Sequence, residues 1–324
     1  MVNVVLSSPF REECRRIILE AGGDRCRFTE LSQDTPEAEA KAAMAEAEVL
    51  IGFTSPALLA EAKKLKWMQM TWAGVDAIDS FVPRDLLLTN ASGAFGPVIS
   101  EYVMASLLSL ARLLPTYIRQ QTWQRQSREL TLEGKRALIL GAGDIGGCVA
   151  RRLRAFDVYN VGVRRVRRAV PENFDEMVTL AELDEELPKA DLVICSLPAT
   201  AQTKGLLDER RLRLMKDSAI LVNVGRGDLI DTRALEKVLA EGHLVGVGLD
   251  VTDPEPLPDD SPLWKMNNVV ITPHTSGLGF GAISQTQVRV ATICAENLRR
   301  YLAGEPVKNV VDRAAGYRAT VMDA

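Results

Sequence analysis

Residues 136–146 read RALILGAGDIG, a short and mostly apolar run followed by three glycines spaced G-x-G-x-x-G. Beyond them Ile145, Val149, Leu153 and Phe156 recur at spacings of three and four, the period of a helix buried along one face. A strand, a glycine turn and a helix in that order form the device by which a parallel sheet holds a dinucleotide. Gly141 permits the tight turn, Gly143 lets backbone approach a pyrophosphate, and Gly146 allows the helix to pack close to the sheet. Asp144 and Ile145 open the helix, whose N-terminal N–H groups and partial positive charge suit that anion.

Similar apolar runs recur on both sides of this stretch. NVVLSS (3–8), AEVLIG (47–52), KWMQMTW (66–72) and LLLTN (86–90) read as strands of a first unit. Segments 35–46 and 56–64 between them are rich in Ala, Glu and Lys and read as helices. A second series comprises RALILG (136–141), YNVGV (159–163), DLVICSLP (191–198), AILVNVG (219–225), LVGVGLDV (244–251) and NVVITPH (268–274). These runs are apolar throughout instead of alternating, as in parallel sheets covered on both faces. Strand–helix alternation of this length predicts a doubly wound α/β fold, twice over.

Between the two series lies VISEYVMASLLSLARLL (98–114), with Pro97 before it and Pro115 after it, which predicts one long apolar helix. A core helix and a helix that joins two domains and enters a subunit interface both fit it. Residues 116–131, with Gln120, Gln121 and Trp123, read as an exposed arm. A last helix over 285–302 places Val288, Ala291, Ala295, Leu298 and Leu302 on one face.

Composition narrows the function classes. A chain of 324 residues with 47% hydrophobic content suggests two domains with ordinary cores. A net charge of -4 argues against bulk attraction to nucleic acid or to an anionic membrane. Five scattered cysteines, never spaced C-x-x-C, suit a reducing compartment with neither a disulfide framework nor a metal site. The start MVNVVLSSPF lacks a basic segment followed by a long apolar one, and no run approaches 18 apolar residues. The expectation is a cytoplasmic protein with no membrane partner.

Against that acidic background, YNVGVRRVRR (159–168) gathers four arginines in ten positions. In sheets that bind NAD, an Asp or Glu near the end of the second strand accepts hydrogen bonds from the adenosine ribose. Counting 18 residues past Gly146 reaches Arg164, with Arg165 next, and the nearest downstream acids are Glu172 and then Asp175, both too far along to serve. A carboxylate there would repel a 2′-phosphate, whereas a guanidinium binds it with paired, charge-assisted hydrogen bonds. Each bond contributes roughly 1.5–3 kcal/mol, enough for a preference of about 10- to 1000-fold from one or two of them. Arg164 and Arg165 therefore read as ligands of NADP(H), with NAD(H) and a solvated basic loop as the alternatives. Arg167 and Arg168 read as solvated. Nucleic acid is an unsuitable partner, since no broad basic surface or aromatic platform accompanies the cluster.

Three further stretches point to chemistry. VNVGRGDLID (222–231) places Arg226 beyond a strand end, GLDVTDPEPLP (248–258) places Asp250 and Glu255 beyond another, and ITPHTSG (271–277) places His274 at a third. Ligands of open α/β sheets bind outside the carboxyl ends of the strands, so these groups converge where a cofactor would lie. The other histidine, His243, follows a helix in LAEGH and reads as a surface residue.

With WAGVD (72–76), AFGPVISEY (94–102), SLPATAQTKGLL (196–207), SPLW (261–264) and YLAGEPVKNVV (301–311), the chain resembles the D-isomer-specific 2-hydroxyacid dehydrogenases over nearly its whole length. FGPVISEY and the arginine pair are most similar to the glyoxylate/hydroxypyruvate reductase-like branch. The resemblance implies a Rossmann cofactor domain, residues 100–285, inserted into a flavodoxin-like substrate domain of residues 1–99 and 286–324. Two crossings between domains would allow a hinge that excludes water.

It also implies roles. His274 is the expected general acid in reduction of a 2-keto acid and base in oxidation of the 2-hydroxy acid. Imidazole suits the task because its reference pKa, about 6.5, lies near working pH. Glu255 is expected to orient the ring, and Arg226 to grip the substrate carboxylate and polarise the carbonyl. Asp250 is expected at the nicotinamide carboxamide, and Pro198, Thr203 and Val224 along the cofactor. Gly74 and Val75 would offer backbone N–H groups to the substrate carboxylate, and Phe53 would shape the side-chain pocket. The long helix and the arm around Trp123 imply a homodimer. The alternative is a catalytically weak, cofactor-sensing binding protein on the same fold, against which the intact Arg226, Glu255 and His274 set counts. Phosphoglycerate dehydrogenase with a regulatory tail is disfavoured by a chain that ends soon after its last helix, and formate oxidation by Glu255.

Overall fold

The computed structural model describes residues 1–76, 78–166, 169–278 and 284–313, together with the backbone of 317–318. Arg167 and Arg168 lie outside the described residues. The chain opens with β1 (Val2–Ser7), α1 (Glu12–Gly22), β2 (Cys26–Glu30), α2 (Glu37–Glu46), β3 (Val49–Gly52), α3 (Pro56–Glu61), β4 (Trp67–Gln69) and β5 (Leu87–Thr89). It continues through α4 (Gly96–Ala111), α5 (Leu114–Arg119), β6 (Arg136–Leu140), α6 (Asp144–Arg154), β7 (Tyr159–Arg164), β8 (Glu176–Thr179) and α7 (Leu183–Glu186). Then come β9 (Leu192–Cys195), α8 (Glu209–Leu214), β10 (Ile220–Asn223), α9 (Thr232–Ala240), β11 (Gly246–Leu249) and β12 (Val269–Ile271). The last elements are α10 (Gln285–Ala303), β13 (Val311–Asp312) and β14 (Tyr317–Arg318). Packing divides the chain into two compact units, Met1–Ala94 with Gly279–Ala324, and Phe95–Leu278.

The larger unit is a seven-stranded parallel sheet in the order β12-β11-β10-β9-β6-β7-β8. Its strands are apolar throughout because both faces are covered. Leu138 and Leu140 of β6 join the core on one face, and Ala137 and Ile139 join the core on the other. Strand order reverses direction between β6 and β9, so the crevice beyond their carboxyl ends is this sheet's ligand position. The smaller unit carries the order β2-β1-β3-β4-β5, also parallel, the flavodoxin-like arrangement. Here α10 packs against α1, Tyr301 stacks on Trp67 at 5.1 Å, and buried Asn297 donates to buried Gln69 at 2.8 Å.

Both units are thus doubly wound, as the apolar runs predicted, with local differences. β2 and β8 were not expected; both are edge strands, and CRFTE and EMVT carry too much polar surface to read as buried runs. The long helix is shorter than 98–114, because Leu113 turns left-handed at φ 51° and ends α4. Pro115 then takes the first turn of α5, so 116–119 are helical and the irregular arm begins at residue 120. α6 buries Gly146, Val149, Ala150 and Leu153, whereas Phe156 lies past its end and is 38% exposed. The face of α10 is rotated toward Val290, Ala291, Cys294, Ala295 and Leu298, leaving Val288 and Leu302 at its half-buried margin. Among the described residues no helix is long and apolar enough to cross a membrane, and no group of three His, Cys, Asp or Glu could hold a metal ion.

Candidate active site

The glycine turn between β6 and α6 is built for close approach. Gly141 adopts φ 104°, which strains any side chain, and a Cβ on Gly146 would stand 2.1 Å from the Gly141 carbonyl oxygen. At Gly143 an added Cβ meets nothing within 4 Å, so the space beside the backbone at the helix start is open. Together with the N–H groups at the start of the 11-residue α6, this cradle fits a pyrophosphate. The Asp144 carboxylate turns elsewhere and accepts from Gly96 N at 3.1 Å, while Ile145 is half-buried.

The two arginines at the end of β7 occupy different positions. Arg164 is half-buried and donates through Nε (3.0 Å) and one Nη (2.5 Å) to the carbonyl of Ala142, inside the glycine turn. Arg165 follows it on an exposed bend. Past β9, the Thr203 hydroxyl donates to the Pro198 carbonyl at 2.7 Å and accepts from Thr200 N at 2.9 Å, folding 198–203 into a compact loop. Ser196 Oγ meets the Gly141 carbonyl at 3.0 Å, which ties the ends of β6 and β9 together.

Three neighbouring strands carry the remaining groups. Beyond β10, Val224 is buried and its N–H donates to Cys195 O at 2.9 Å. Arg226 is half-buried and extended, with one Nη donating to Gly225 O at 2.8 Å. Asn223, wholly buried, donates to Arg226 O at 2.9 Å and accepts from Gly225 N at 3.1 Å. Sequence reading passed over Asn223; an amide closing the apolar run AILVN was the signal. Beyond β11, Asp250 is 1% exposed, and its carboxylate accepts from Thr275 N and Ser276 N. Beyond β12, His274 Nδ1 donates to Glu255 Oε1 at 2.7 Å, with both side chains about half exposed. That tautomer leaves Nε2 as the nitrogen able to exchange a proton. His243 lies between α9 and the start of β11, at the amino ends of the strands, bonded to Leu212 O at 2.9 Å and to Asp217.

The glycine turn, Arg164, Pro198, Val224, Arg226, Asp250 and His274 therefore all lie at or beyond carboxyl strand ends of one sheet. Gly74 and Val75 belong to the other unit, in the loop after β4. That loop is held by Ala91 N on Trp72 O (3.0 Å) and Asn90 Nδ2 on Ala73 O (2.7 Å). In the same unit Phe53, beyond β3, lies 5.5 Å from the Trp72 ring and 6.4 Å from Phe81.

Comparison with known proteins shows the family and the fold. Residues 103–276 match the family model described as D-isomer specific 2-hydroxyacid dehydrogenase, NAD binding domain. The glyoxylate reductase of Korarchaeum cryptofilum is 34% identical over 264 residues, covering 78% of this chain and 77% of that protein. A D-isomer specific 2-hydroxyacid dehydrogenase family protein from Aeromonas salmonicida superposes with a TM-score of 0.83 at 37% identity, over 96% of this chain and 99% of that one. The NADPH-dependent glyoxylate/hydroxypyruvate reductase of Sinorhizobium meliloti, solved with NADP and sulfate, gives 0.83 at 25% identity, over 98% and 100%.

Proposed function

This chain belongs to the D-isomer-specific 2-hydroxyacid dehydrogenase family, and we propose that it reduces small 2-keto acids of the glyoxylate and hydroxypyruvate type with NADPH. The observation that carries the reading is the Glu255–His274 pair at 2.7 Å, set beyond β12 with Arg226 beyond β10 of the same sheet. The open cradle at Gly143 supports a dinucleotide, and arginines in place of an acidic residue at the end of β7 support the phosphorylated one.

When bound, the reduced nicotinamide supplies a hydride to the carbonyl carbon of the substrate. The chain's own residues do the rest. Arg226 grips the substrate carboxylate with its planar fork and polarises the carbonyl. His274 gives the proton from Nε2 to the carbonyl oxygen in reduction, and takes it back in oxidation. Glu255, by accepting from Nδ1, fixes which ring nitrogen faces that task. Arg164 braces the glycine turn through Ala142 O, and Arg165 is placed on the exposed bend where a 2′-phosphate would be met. The relatives point the same way: the Sinorhizobium meliloti structure holds NADP, and the Korarchaeum cryptofilum relative is a glyoxylate reductase. A homodimer is part of the proposal, supported by the apolar surface of α5 and the arm, where Ile118 is 81% exposed and Trp123 fully so.

The arginines provide the test. Arg165→Ser lowers kcat/KM for NADPH by about 10- to 100-fold and that for NADH far less, the loss expected for one charge-assisted bond. Arg164→Lys loosens the turn and lowers both. Equal losses with the two cofactors from Arg165→Ser would return that side chain to a solvated loop.

A further inference from the structure

Two polar side chains with no part in the chemistry above, Tyr102 and Thr272, are joined to Asp250 beside this site. Thr272 Oγ1 donates to Asp250 Oδ1 at 2.6 Å, and the Tyr102 hydroxyl of α4 lies 2.7 Å from the same Oγ1. A threonine hydroxyl has one proton. With that proton given to the carboxylate, Thr272 can only accept from Tyr102. Donation therefore runs from Tyr102 to Thr272 to Asp250. Burial pushes the Tyr102 hydroxyl above the ordinary tyrosine range, against the pull of its bonds to Thr272 and Ser106, which keeps it a donor.

The carboxylate hands this order on to backbone. Oδ1 also accepts from Thr275 N (2.8 Å) and Ser276 N (3.1 Å), and Oδ2 accepts from Ser276 N (3.0 Å). The main-chain oxygen of Asp250 accepts from His274 N at 2.8 Å. Both the backbone of His274 and the two residues after it thus hang on Asp250. His274 needs such support, because its φ of 54° lies in the left-handed region, which is costly for a residue with a side chain.

We propose that Tyr102, Thr272 and Asp250 form a positioning relay that holds the 272–276 turn and thereby aims the imidazole of His274. This gives Asp250 a role in addition to the cofactor contact expected from resemblance. The consequence for turnover rests on the reading of His274 as proton donor; the consequence for the position of the ring does not.

Histidine-labelled NMR separates the two, since the chain has only two histidines and His274→Asn assigns their signals. In the cofactor-free protein, Thr272→Val removes the relay's hydroxyl and moves the His274 resonances while those of His243 stay. Thr272→Ser, which keeps the hydroxyl, restores them. Tyr102→Phe, a milder change that guards against a Thr272→Val protein that fails to fold, shifts the same signals in the same direction. In steady state with NADPH and a keto acid, Thr272→Val lowers kcat about tenfold or more with KM changed less than threefold, as a misaimed group requires. Thr272→Ser recovers to within about twofold. Unmoved His274 signals in both Thr272→Val and Tyr102→Phe overturn the relay, as does a Thr272→Ser variant as damaged as Thr272→Val. Moved signals with unchanged kcat uphold the relay and instead sink the proton-donor reading.

Discussion

His274 concentrates the proposed chemistry at the residue scale. Its backbone is held in a costly conformation, its Nδ1 is committed to Glu255, and only Nε2 is left for proton exchange. Replacing it with Asn keeps a polar group of similar reach but removes the transferable proton. His274→Asn therefore lowers kcat at least about 100-fold, the usual worth of a general acid, with NADPH affinity within a few-fold of wild type. Steady-state rates beside a fluorescence titration of NADPH check both halves; near-normal turnover would remove His274 from the mechanism. The proposed groups His274 and Arg226 could be singled out in the sequence because each is a reactive side chain at the end of an apolar run, and Glu255 because it sits in the proline-stiffened loop after another. The contacts of Asp250, the brace from Arg164 to Ala142 O and the role of Asn223 were not. Each involves backbone partners brought into reach by the fold, and a backbone carbonyl leaves no mark in sequence.

Among the elements, what could be read followed burial. The inner strands of both sheets are sealed on two faces and stand out as apolar runs, whereas β2 and β8 lie at edges and resemble loops. Helix ends were less legible, since Leu113 ends α4 by a backbone turn that no composition signals. One junction between elements has a defined pH dependence. Asp184 of α7 accepts from Arg210 Nη1 and Arg211 Nε of α8, each at 2.7 Å, and the two guanidinium groups hold its carboxyl down to about 2. The folded value lies below the unfolded one of about 3.9. The stabilisation is then complete above that value and is lost as pH falls through about 2. The partners are partly exposed, which limits the effect to about 0.5–1 kcal/mol, or about 1–4 °C in Tm. Asp184→Asn lowers Tm by that amount at pH 7, and thermal melts down to pH 2 show the gap nearly closing; a gap of constant size would assign it to packing.

At the scale of the whole molecule, two parallel sheets of different strand order carry different tasks. The larger holds the glycine turn and the proposed chemical groups Arg226, Glu255 and His274; the smaller carries Gly74 and Val75 and is closed by the last helix, pinned through Asn297 and Tyr301. The return of that helix came from the family resemblance, because helical periodicity says which face is buried and not against what. Arg226, Glu255 and His274 make a reductase only if hydride reaches a keto carbon. The direct measurement is incubation with a panel of 2-keto acids and NADPH carrying deuterium at the transferable nicotinamide position, followed at the reduced-nicotinamide absorbance. The expected result is loss of that absorbance with one deuterium at C2 of a D-2-hydroxy acid. Tight NADPH binding with no absorbance change across the panel would contradict it and mark the chain as a cofactor sensor.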